Sequence, residues 1–224
     1  MAVKIIILHG WSQDKGLWQD LAYKLGKKSK AIDLPGFGKE KIINSNWGVP
    51  DYAKWVEDKI KQKEDKIILI GHSFGGRIAA EIASHKPEWL KGLILSGAPC
   101  IYRPDTKTKA KIILSKIAKL VIPRSFQGKY LPKDLKKAKK MGLETTFRKT
   151  VIYDQTKNLR KINVPTLLIW GENDVDAPIR ISYEINKLIN KSQLKIIDGA
   201  GHNSFLENPN LFYSYVKKFT ENIK

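Results

Sequence analysis

The sequence predicts an α/β protein: a mostly parallel six-stranded sheet with helices on both faces and a short helical cap. Three observations carry that prediction. Short apolar runs alternate with stretches of helical period from one end of the chain to the other. Each run is strand-length, far short of the roughly 20 apolar residues a membrane helix needs. A single stretch, 101–160, breaks the alternation. At 224 residues the chain is long enough for one sizeable core. Its 42% hydrophobic and 28% charged content are ordinary for a globular protein.

Taken in order, VKIIIL (3–8) is the first buried-strand candidate, followed by a helix near 17–25. SKAIDL (29–34) is the second strand, with a helix near 52–61 after it. IILI (67–70) leads into a helix that starts just beyond Ser73. LKGLILS (90–96), TLLIW (166–170) and QLKII (193–197) complete the strands, and a helix near 209–222 closes the chain. Strands separated by helices imply right-handed crossovers, hence parallel pairing with both faces of the sheet covered. Residues 1–100 and 160–224 form the expected core. The stretch between is too long for an ordinary connection, and it carries helical periodicity of its own. Ala110, Ile113, Leu114, Ile117 and Val121 recur at helical spacing until Pro123, and Leu135, Ala138, Met141 and Phe147 suggest a second amphipathic helix. Residues 101–159 therefore read as a cap or lid over the C-terminal edge of the sheet, where open α/β sheets bind ligands.

The N-terminal apolar run is shorter than a signal peptide requires, and no small-residue cleavage site follows it. Cys100 is the single cysteine; it excludes an intrachain disulfide, fits a cytoplasmic location and argues against a cysteine-based metal site. No cofactor is implied. The net charge of +19 is unusual, but 35 of the 41 basic residues are Lys and only six are Arg. Base reading relies on Arg forks and single-strand binding on aromatic platforms, so nucleic acid is not the expected partner. The excess concentrates between Arg103 and Lys149, where fifteen basic residues face Asp105, Asp134 and Glu144. Such a face would attract acidic substrates; a solvated helical surface is the plainer account.

Residues 67–83, IILIGHSFGGRIAAEIA, carry the chemistry. Gly71-His72-Ser73-Phe74-Gly75 fits G-x-S-x-G, a sharp strand-to-helix turn that lifts a serine out of the sheet. A serine hydroxyl needs a base to take its proton. Asp and His should follow in that order on loops at strand ends. TLLIWGENDVDAP places Asp174 beyond one strand, with Asp176 as the competing acid, and KIIDGAGHNSFLENP places His202 beyond the last. An oxyanion needs two N–H donors. Phe74 N–H, after the serine, is one, and Trp11 N–H, in IILHGWSQDKGLW, is the expected second. Trp11, Phe74 and Val175 are the candidate pocket side chains.

Five segments in this order, ILHGW (7–11), DLPGFGK (33–39), GHSFGG (71–76), VPTLLIWGENDVDAP (164–178) and GAGHNSFLENP (199–209), resemble the α/β-hydrolase family across essentially the whole chain. The HGWSQDKGLW (9–18) and DLPGFGK pieces are particularly similar to the carboxylesterase group that includes the pimeloyl-ester esterase of biotin synthesis. The resemblance implies Ser73 as nucleophile, His202 as general base and acid, Asp174 as its orienting partner, and a small-molecule ester as substrate. The chain departs from the family in lacking the two strands that usually precede the HG motif, in Lys39, and in a short basic cap. Thioesters, lactones and carbon–carbon bonds are cleaved by the same machinery. A non-catalytic binding protein on the same scaffold is the alternative of a different class.

Overall fold

β1 (Lys4–Leu8, KIIIL) sends Ile5 and Ile7 to one side of the sheet and Ile6 and Leu8 to the other, as the period of two requires. In the computed structural model, which describes residues 3–60, 66–103 and 133–223, the same doubly buried character recurs in the central strands. From β1 the chain passes through a 3₁₀ turn (Lys15–Trp18) and α1 (Gln19–Leu25) to β2 (Ser29–Ile32), then α2 (Val49–Ile60) and β3 (Ile67–His72). α3 (Phe74–Ser84) and β4 (Leu90–Ser96) follow, then three short helices, α4 (Lys133–Lys140), α5 (Glu144–Ile152) and α6 (Thr156–Leu159). β5 (Thr166–Gly171), α7 (Ile179–Leu188), β6 (Ser192–Ile197), α8 (Ser204–Glu207) and α9 (Pro209–Glu221) complete the described fold.

The six strands form one sheet in the order β2-β1-β3-β4-β5-β6, every neighbouring pair parallel. The expectation of a mostly parallel six-stranded sheet is borne out in its strictest form. Ile6, Leu8, Leu69 and Leu95 pack under α2, α3 and α7; Ile5, Ile7, Ile68, Ile70 and Ile169 pack under α1 and α9. The chain leaves β1 toward β2 and later returns to β1's opposite side with β3. The carboxyl ends of β1 and β3 thus flank a topological switch point, where a crevice opens.

The first helix expected in the 101–159 insertion, around Ala110 to Val121, lies outside the described residues. The second divides in two. Gly142 adopts φ 71°, Leu143 N–H donates to Ala138 O, and Gly142 N–H donates to Lys139 O. This pairing is a Schellman ending that stops α4 and lets α5 start in a new direction. α7 had no separate prediction; the one-turn helices α6 and α8 had none either, since four residues cannot display a period.

Candidate active site

Ser73 occupies the turn between β3 and α3 with φ 51° and ψ −111°, a region that costs an L-residue about 1–3 kcal/mol and persists where its surroundings impose it. Its N–H donates to Ser96 O at 2.9 Å, and Arg77 N–H donates back to Ser73 O at 3.1 Å. The helix must start against β1: Gly75 N–H donates to His9 O, and a Cβ at Gly75 would collide with the carbonyl oxygens of Leu8 and His9. Glycine here is a packing requirement of the elbow.

Asp174 is buried at the end of the turn after β5. Its Oδ1 accepts from the N–H groups of Asp176 and Ala177 at 3.0 and 2.8 Å, which turns the carboxylate inward. His202 Nδ1 lies 3.0 and 2.9 Å from its two oxygens. A carboxylate can only accept, so Nδ1 carries a proton, and in the neutral ring the lone pair is on Nε2. Asp176 lines the cavity without touching His202's Nδ1. Val175 sits at the crest of the same turn, 85% exposed, because the inward pull on Asp174 turns its neighbour out. The expected pocket role of Val175 is corrected accordingly; Asp176 stands on the wall instead.

Ser73, His202, Trp11 and Phe74 line one cavity of about 540 Å³, a size suited to a small organic ligand. Among the described residues no acceptor takes the backbone N–H of Trp11 or of Phe74. The Trp11 ring meets Phe37, Phe74 and Phe147 edge-on or tilted at 5.0–5.2 Å. It therefore also packs beneath α5. α4 and α5 supply Asp134, Lys137, Phe147, Thr150 and Val151 to the opposite wall.

Two buried histidines brace the floor. His9 Nδ1 donates to Gly10 O at 2.8 Å and its Nε2 accepts from Leu34 N–H at 3.1 Å, so the ring is neutral, and burial pushes its pKa down. His72 Nδ1 donates to Ser96 O; burial first, then neighbouring His202, push its pKa down to about 3. Asp33 accepts from the N–H groups of Lys15 and Lys39. Burial raises its carboxyl, but those bonds and the Lys15 ammonium outweigh it and hold the pKa below the usual value. Lys39 contributes only its backbone N–H there, which any residue but proline supplies.

Sequence reasoning did not find Gln13, Arg77 or Asn203, all of which line the cavity. Asn203 is adjacent to a predicted residue, and Arg77 lies one helical turn past Ser73. Gln13 gives no signal at all until the loops are brought together.

The chain matches the α/β hydrolase fold family over residues 4–121 and 105–209. It is 31% identical to the pimeloyl-[acyl-carrier protein] methyl ester esterase of Wigglesworthia glossinidia brevipalpis, covering 97% of this chain and 93% of that one. The protein of the same name in Yersinia enterocolitica is 24% identical, with coverage of 97% and 93%. An esterase from Exiguobacterium antarcticum superposes with a TM-score of 0.77 over 98% of this chain and 92% of that one, at 21% identity. With the parallel sheet, the serine elbow and these likenesses together, the chain belongs to the α/β-hydrolase fold family.

Proposed function

We propose that the protein is a serine carboxylesterase working through an acyl-enzyme, with Ser73, His202 and Asp174 as its triad. The observation that carries this reading is the His202–Asp174 contact, 2.9 Å from Nδ1 to Oδ2, beside a strained serine on the same cavity. Asp174 holds Nδ1–H, so Nε2 faces the reaction as a base. Ser73 Oγ attacks the ester carbonyl while its proton passes to Nε2. The oxyanion that forms takes the N–H groups of Phe74 and Trp11, each worth about 2.7–4 kcal/mol of barrier in comparable sites. Collapse breaks the bond to the alkoxy group, which leaves as the alcohol with the proton from His202. Water, deprotonated by the same imidazole, then releases the acid and restores Ser73.

The named esterases among the relatives support ester substrates for this chain. Residues 101–159 are proposed as a cap whose described helices close the acyl side of the cavity. A cytoplasmic location agrees with Cys100, which is free and buried. No helix among the described residues is long and apolar enough to cross a membrane.

The deciding experiment is hydrolysis of p-nitrophenyl esters from acetate to dodecanoate, with Ser73→Ala as the control. Turnover by the wild type that Ser73→Ala abolishes is the expected result, with the chain-length profile reporting the room under α5. A wild type as inactive as the mutant on every ester sinks the reading. Thioester or lactone turnover without ester turnover would redirect it to those substrates.

A further inference from the structure

Along the cavity wall runs a chain of hydrogen bonds from Gly10 through Gln13 to Asn203, and its two ends stand next in sequence to residues of the proposed machinery. Gly10, before Trp11, donates its N–H to Gln13 Oε1 at 2.9 Å. Gln13 Nε2 donates to Asn203 Oδ1 at 3.1 Å, across 190 positions of sequence. Asn203 follows His202. His72 Nε2 has no hydrogen-bond partner among the described residues. His72 precedes Ser73, and its Nδ1 donates to Ser96 O at 3.1 Å.

The Gly10 end fixes both amide orientations. A backbone N–H at Gly10 can only donate, so Gln13 presents its oxygen there and its nitrogen to Asn203. Asn203 then presents its oxygen to Gln13. Separately, the Ser96 carbonyl can only accept, which places the proton on His72 Nδ1.

We infer that Gln13 and Asn203 are positioning residues that hold the oxyanion loop and the His202 loop in register. The sheet alone does not supply that register, because β1 and β6 are separated by β3, β4 and β5. The loop after β1 also needs a brace of its own. Gln13 N–H closes a turn onto Gly10 O at 3.2 Å, and Ser12 inside the turn has φ 56°, a conformation an L-residue leaves readily unless held. Gln13 closes that turn twice, once by backbone and once by side chain.

The inference rests on the esterase reading, and one experiment tests both separately. Gln13→Leu, which keeps the volume and removes both bonds, is compared with Asn203→Ala, the double variant, Ser73→Ala and wild type on a p-nitrophenyl ester. Each single variant should lower kcat about 10- to 100-fold with KM within about threefold, the scale of a sub-ångström misplacement. Affinity for a phenylboronic acid, a mimic of the tetrahedral adduct, should fall in step. The double variant should lie within about threefold of the weaker single one, since the chain acts as a unit. Unchanged boronate affinity, or a kcat loss matched by the fraction of molecules that no longer react with a fluorophosphonate, makes the residues merely structural and overturns the inference. Activity within about twofold of wild type does the same. An active wild type with an active Gln13→Leu defeats only this inference; a wild type no better than Ser73→Ala defeats the esterase reading and the inference with it.

Discussion

Asp174 and Asp176 lie two positions apart on one turn, yet only one carboxylate orients His202. Asp174→Asn replaces an acceptor with a group that can donate, inviting the imidazole to invert its tautomer, and kcat should fall about 10⁴-fold with the fold intact. Asp176→Asn should change kcat less than about tenfold in the same assay, because that carboxylate has no hold on Nδ1. Comparable losses from both would reverse the assignment. Gly97 belongs to this scale as well. At φ 52° a Cβ would stand 3.1 Å from Asp174 Oδ2 and 3.2 Å from His202 Nδ1. Gly97→Ala should therefore lower kcat by about tenfold or more, with KM nearly constant, as the imidazole is pushed off its line. At this scale the residues proposed as the triad stand out in the sequence, since each lies in a short motif at a strand end. Gln13 was not, because its partner Asn203 is 190 positions distant and no local pattern marks either residue.

Among the elements, α3 does two jobs. Its first residue, Phe74, is the proposed oxyanion donor, and Arg77 and Glu81 farther along anchor the chain that leads into β5. Glu81 is buried and accepts from Tyr153 Oη, Gln155 Nε2 and Asn158 Nδ2 at 2.9–3.1 Å. Arg77 donates to Tyr153 O at 2.8 Å, and Gln155 Nε2 also donates to Arg77 O. Removing a shared acceptor strands buried donors, so Glu81→Ala should cost roughly 3 kcal/mol or more. Chemical denaturation would measure this, and a loss under about 1 kcal/mol would contradict it. In the sequence Glu81 reads as an ordinary charge on an Ala-rich helix, since its partners arrive more than seventy residues later. Helix identity was readable where an apolar period ran for several turns, as in α2 and α9. The break at Gly142 was not, because the apolar spacing continues across it and only the positive φ reveals the stop.

For the molecule as a whole, the two buried histidines couple folding to pH. Both His9 and His72 stay neutral in the fold at pH values where the unfolded chain takes up protons, below about 6.5. The unfolded state then binds more protons, so stability falls as pH drops from about 6.5 toward about 3, where His72 itself protonates. His72 alone should contribute up to about 1.4 kcal/mol per pH unit within that window. Thermal unfolding between pH 7 and pH 4 should show the slope, and His72→Gln should flatten it whatever its effect on absolute stability. An unaltered slope in that variant would mean His72 is not the source. The overall topology was the most legible feature of all, because buried parallel strands demand continuous apolar runs and spaced crossovers.

The sheet ends in β2, of four residues, and β6, of six. Each presents a lysine outward, Lys30 on one side and Lys195 on the other, and both are exposed. An open row of backbone donors and acceptors is a template for another copy to add itself, strand by strand. Like charges brought together at such a seam repel, and few bonds are available to offset the repulsion. Lysine at both margins thus sets like charge against the joining of a second copy to either border, each of which is an outer strand among the described residues.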